Sequence, residues 1–122
     1  MSSLITSNIS DGTTSVPTGY VVNGSAKAWV RFNQSTMSIG GSENISSLTD
    51  DGTGMSDVNL TNAFSSASVI GASGITSPDV DWNDTVCLSA STTASQLVLR
   101  VGQDTTLQDN ALVSVSAFGD LA

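Results

Sequence analysis

The stretch Ser25-Ala-Lys-Ala-Trp-Val-Arg-Phe-Asn33 decides the fold. Successive side chains on a β-strand point to opposite faces, so Ala26, Ala28, Val30 and Phe32 share one face and Lys27, Trp29 and Arg31 the other. The uniformly apolar face belongs against a core. The opposite face sets an indole between two cations, an arrangement suited to a cation–π stack or to a protein contact surface. Just upstream, Tyr20-Val-Val22 and the Asn23-Gly24 pair supply a second apolar run and a tight turn, the strongest short-range hairpin signal in the chain.

Downstream the same texture repeats. Asn44 to Leu48 reads as a strand, Thr49 to Gly54 as a turn, and Met55 to Leu60 as the returning strand. Short β-branched or Leu-containing runs follow at Ser68 to Gly71, Thr85 to Ser89, Gln96 to Val101 and Ala111 to Phe118. In the last of these Val113, Val115 and Ala117 alternate with Ser114 and Ser116, the pattern of a half-buried strand. No stretch sustains helical periodicity, and no repeat of 20 to 50 residues is present. The expectation is an all-β fold, an antiparallel β-sandwich or jelly roll of about eight short strands.

Composition agrees with this. A chain of 122 residues fits one domain and one core, and 39 % hydrophobic residues suffice to build it. Only 11 % of residues are charged, whereas Ser and Thr make up about 30 %. These hydroxyls compete with the helical backbone for hydrogen bonds, and Thr and Val fit a pleated surface. Residues 1–18 differ in being rich in Ser, Thr and Asn, with short apolar elements only at Leu4-Ile5 and Ile9. They read as an N-terminal arm able to dock on a partner, and 19–122 as a single β domain.

Charge and motif inventory narrow the function. A formal net charge of −8, with Lys27, Arg31 and Arg100 the only basic residues, excludes recognition of nucleic acid through its phosphates and gives no attraction to anionic membrane. There is no apolar run long enough to insert in a membrane and no secretory signal at the N-terminus, so synthesis in the cytoplasm is expected. The single cysteine, Cys87, lies in an apolar run and reads as a buried strand residue.

The absence of histidine removes Ser-His-Asp and Cys-His catalysis and imidazole metal sites. The segment Asp79-Val-Asp81-Trp-Asn-Asp84 resembles the start of a calcium loop, but Asp84 stands where glycine is required and Ala90 where the bidentate Glu belongs. Turn capping around Pro78 accounts for it. Glu43, Asp57 or the Asp79 to Asp84 group could supply the paired carboxylates of a glycosidase, yet with eleven acids some pairing is expected by chance. The expectation is therefore no enzyme, no catalytic residue, no metal and no cofactor. Exposed tryptophans stack on sugar rings and anchor interfaces, which makes Lys27, Trp29, Arg31 and Trp82 the candidate contact surface.

Residues 9–33, from Ile9-Ser-Asp-Gly-Thr-Thr-Ser-Val-Pro to Ala-Trp-Val-Arg-Phe-Asn33, are similar to a module common in bacteriophage and prophage tail fibre proteins, many of them marine. So are Asn44 to Gly54, Val58-Asn-Leu60 and the ending Val113-Ser-Val-Ser-Ala-Phe-Gly-Asp-Leu-Ala122. The likeness covers about half of the chain. It departs at Arg31, where the module usually carries Asn, and at Asn33 to Thr36, where it usually has an Asn-Gly-Thr-Gly turn. The resemblance implies a virion-surface structural protein, a homotrimer as such fibres generally are, with bacterial surface polysaccharide as the host attachment partner. Residues 1–18 would then contact other virion proteins. A short arm in place of a shaft leaves capsid decoration or a head fibre as the alternative, and a polysaccharide depolymerase as a third. Open sheet edges bearing few charges also lead to an expectation of self-association.

Overall fold

From Ala28 onward the alternation read in the opening stretch organises the observed structure, a computed structural model that describes residues 2–77 and 84–122; Ala26, expected on the core face, is exposed because it precedes β3. Its elements in chain order are β1 (Asn8–Ser10), β2 (Ser15–Pro17), α1 (Thr18–Gly24), β3 (Ala28–Asn33), β4 (Ser38–Glu43), β5 (Ile45–Gly52) and β6 (Met55–Leu60). A turn of 3-10 helix at Ala67–Val69 precedes β7 (Gly71–Ser77), β8 (Asp84–Leu88), β9 (Gln96–Gln103), β10 (Thr106–Leu107) and β11 (Leu112–Phe118). All strand pairings are antiparallel.

Two sheets carry the body of the protein. The first has the order β4-β3-β11-β7. In the second, β9 pairs with β8 along one edge, and along the other with β6 and then β10, while β5 lies outside β6. The register of β11 on β3 sets Ala117 opposite Ala28, Val115 opposite Val30 and Val113 opposite Phe32. All six are buried. They face Val58 and Leu60 of β6 and Leu97, Leu99 and Val101 of β9, with Phe64 closing the same cluster. Ile45, Leu48, Val86 and Leu88 pack around its margin. The result is the expected all-β sandwich, with more strands than the eight read from sequence.

One end of the sandwich is closed by polar groups rather than by apolar ones. The Gln34 side chain is buried; its Nε2 donates to Ser56 Oγ at 2.8 Å, and its Oε1 accepts from the Asn110 amide at 3.4 Å. The Gln34 amide donates to the Asn110 carbonyl at 2.9 Å. Asn110 Nδ2 donates to Thr76 Oγ1 at 2.6 Å and to Asp84 Oδ2 at 2.8 Å, and Gln108 Nε2 reaches the same Asp84 oxygen at 2.6 Å. Five separate segments meet in this network, which satisfies most of the polar groups it buries; Asp84 Oδ1 has no hydrogen-bond partner among the described residues. Beside it Gly54 adopts φ of 68°, and a Cβ there would lie 2.7 Å from the Gln108 nitrogen and against the Val101 carbonyl, so only glycine fits the junction of β6 and β10.

Several expectations are corrected. Tyr20 to Val22 does not form a hairpin with β3; it lies in α1, and Asn23 and Gly24 end that helix, with the Ser25 amide donating to the Val21 carbonyl. The physical reason is that both edges of β3 are taken, by β4 and β11, which leaves Tyr20 to Val22 no strand to pair with. Ser68 to Gly71 is mostly the 3-10 turn, and the strand begins at Gly71. Cys87 is exposed: it points outward from β8 between the half-buried Val86 and Leu88. Strands β1, β2, β4 and β10 have no counterpart in the sequence reading, β4 because Gly40 and Gly41 mask its pattern.

Gln34→Ala leaves Ser56 Oγ and the Asn110 amide without their buried partner. Its expected cost is about 1–3 kcal/mol of unfolding free energy, measured by urea denaturation, with the slope of the transition unchanged. A cost below a few tenths would mean that water replaces the amide freely.

Candidate functional site

The outer face of the first sheet follows from the same register. Residues between the buried ones point away from the core, so Trp29 stands opposite Ser116 of β11 and Glu43 of β4, and Ser116 stands opposite Ser73 of β7. One step along, Arg31 lies between Ser114 and Gly41. The indole of Trp29 is 43 % exposed, intermediate between a core residue and a freely solvated one. A methyl group built at Gly41 would come 3.3 Å from Cη2 and 3.4 Å from Cζ3 of Trp29, so the ring lies across the β4 backbone where that strand has no side chain. Beside it Ser73, Gly74, Ser114 and Ser116 line an open depression of about 240 Å³. Another, of about 300 Å³, runs past the β-bulge at Arg31/Phe32, with Arg31, Asn33, Ser38 and Ile39 among its walls.

This arrangement offers an aromatic surface, a ring of hydroxyls and one guanidinium on a rigid sheet. Those are the groups that hold a polyhydroxylated ligand, the indole against its C–H face and the hydroxyls and Arg31 on its oxygens. Lys27 takes no part in it. Its ammonium donates to the Val22 carbonyl and, at 2.8 Å, to the Ser25 carbonyl, which ties β3 to the end of α1. Of the four residues singled out in the sequence, the structure therefore brings Trp29 and Arg31 together and turns Lys27 to another task. Trp82 and residues 79–83 lie outside the described residues. Asp84, the last of that acidic run, belongs to the polar network at the end of the sandwich.

Sequence reasoning missed Gly41, Ser73, Ser114 and Ser116 as parts of this face. The alternating serines of β11 were visible, but which strands flank it is a matter of topology.

The second sheet presents a different outer face. Ser56 and Val58 point inward, so Asp57 between them points out. Burial and then the neighbouring Asp51, through a hydrogen bond and charge repulsion, push the Asp57 carboxyl above its ordinary value. Its Oδ1 is shut off from solvent without a hydrogen-bond partner among the described residues. Glu43 and Asp57 thus stand on opposite faces of the sandwich and cannot flank one glycosidic bond. Among the described residues, no three His, Cys, Asp or Glu side chains gather as a metal would require.

Searches against models of protein families, curated proteins and solved structures found no match for this chain.

The raised Asp57 value has a definite sign. The folded state holds this proton more tightly than the unfolded chain, so stability falls as pH rises from the ordinary carboxyl value through the raised one. Asp57→Asn removes the penalty. The variant is expected to melt above the wild type at pH 7, with the gap closing below about pH 4, where both states carry the proton. A difference independent of pH would show that the substitution acts by packing alone.

Proposed function

We propose that the chain is a fibre-like structural protein of a bacteriophage virion surface, a homotrimer whose first sheet turns its Trp29 face toward bacterial surface polysaccharide. The observation that carries this is the half-exposed indole laid across Gly41 amid the serines of β7 and β11. The indole is too exposed to be spent on the core, and Gly41 leaves room for it to lie on the sheet surface. The likeness of residues 9–33, 44–54 and 113–122 to the tail fibre module supports the assignment to a virion, and the acidic, hydroxyl-rich composition suits a protein that stays soluble and displayed.

In this reading the sandwich is a rigid support and the chemistry is recognition. Trp29 supplies the stacking surface, Arg31 and the serines supply directional hydrogen bonds, and the flat sheet keeps them at fixed separations. A long, repetitive glycan can lie along such a face and touch several copies at once, so that weak single contacts sum to firm attachment.

Purified protein is expected to bind host cells or extracted host polysaccharide and to block phage adsorption. Trp29→Ala is expected to weaken that binding roughly tenfold per site, and Gly41→Val, which displaces the indole, to weaken it while leaving the unfolding midpoint near that of the wild type. Binding by the Trp29→Ala protein equal to the wild type would remove this face from the account. New reducing ends in the incubated polysaccharide would instead identify a depolymerase.

A further inference from the structure

The segment from Ser2 to Ala26 contributes nothing to the sandwich core: every residue in it is exposed except Val16 and Thr18, which are half-buried. It is nevertheless ordered by its own hydrogen bonds. Asp11 Oδ1 accepts from the Thr13 and Thr14 amides at 2.9 and 2.7 Å, closing the turn between β1 and β2, and the Thr18 hydroxyl and amide donate to the Thr6 and Ser7 carbonyls at 2.7 and 2.9 Å. A hairpin of three residues per strand and a helix of seven are each marginal at best in water without something packed on them. Leu4 and Ile5 are 86 % and 93 % exposed, Tyr20 is 73 % exposed, and Ile9, Val21 and Val22 are also uncovered. An open groove of about 550 Å³ runs between Pro17, Gly19, Tyr20, Asn23 and Gly24. No side chain among the described residues fills it.

We infer that residues 2–26, the expected arm of 1–18 extended through α1, are the assembly interface of the protein and that their occupant is the same segment of another copy. Charge selects that occupant. Between residues 2 and 26 the only charged side chain is Asp11, whereas the remainder of the chain holds the other ten acids and all three bases. Sandwich bodies carrying a formal −7 between residues 27 and 122 repel one another, and arms that are almost uncharged do not. A basic or acidic foreign surface would find nearly nothing on the arm to pair with. Leu4 or Ile5 of one arm suits the groove beside Tyr20 of the next, an exchange that closes symmetrically around an axis. That three copies take part rests on the proposed function; that the contact is arm to arm does not.

Ile5→Asp and Tyr20→Asp test this in the full chain, with Leu107→Asp, an equal charge placed on exposed β10 of the sandwich, as the control. At micromolar concentration the wild type is expected to sediment as a multiple of the 12.4 kDa chain. Each arm variant is expected to weaken self-association at least roughly tenfold and release the monomer, while Leu107→Asp stays assembled. Hydrogen exchange in residues 2–26 is expected to be slow in the wild type and fast in the arm variants. A monomeric wild type, arm variants that stay assembled, or dissociation of Leu107→Asp to the same extent would each overturn the inference. Polysaccharide binding measured on the released monomer reads the Trp29 face separately, so failure of either idea leaves the other standing.

Discussion

The register of β11 against β3 is the constraint on which the rest depends. With Ala117 opposite Ala28, Val115 opposite Val30 and Val113 opposite Phe32, one face of the central pair is apolar throughout. A slip of one residue in β11 would turn Ser114 and Ser116 into the core and leave Val113, Val115 and Ala117 on the outer face. The same pairing therefore builds the core and assembles the outer surface from strands far apart in sequence. Edge strand β4 adapts to it by a bulge after Arg31 and by Gly41, which makes room for the indole.

Stability is distributed unevenly along the chain. The sandwich is fastened through its middle by the apolar cluster and at one end by the Gln34, Asn110, Thr76 and Asp84 network, which joins both sheets. Opposed to this is an N-terminal arm held, among the described residues, by local hydrogen bonds and by Lys27 on the end of α1. Local structure without buried area is the part of a protein expected to open first when alone and to gain most from a partner. A sandwich with a continuous apolar core and an exposed N-terminal segment held by local hydrogen bonds are thus separated along the chain.

Much of the body was legible in the sequence because one-sided strands write their burial in every second residue. Ala28 to Phe32 and Val113 to Ala117 alternate, Gln96 to Val101 shows itself as a short apolar run, and the Met55 to Leu60 return was marked by its glycine-rich turn. Tyr20 to Val22 was misread because a strand signal is only an offer of pairing, and β3 had no edge left to accept it. Cys87 was misread because its apolar neighbours gave a continuous run, whereas alternation along β8 turns it outward. At the contact surface Trp29 and Arg31 were evident from their spacing. Gly41 and Ser73 were not, since only the fold brings β4 and β7 alongside β3 and β11.

The proposed function places this protein on a virion as an appendage that meets the bacterial surface. Gold-labelled antibody against the sandwich, applied to intact phage particles and counted by electron microscopy, is the direct test. A few clusters of label per particle, confined to fibre tips, are expected. Label spread in hundreds of copies over the head would make it a capsid-decorating protein, and particles without label would contradict the claim altogether.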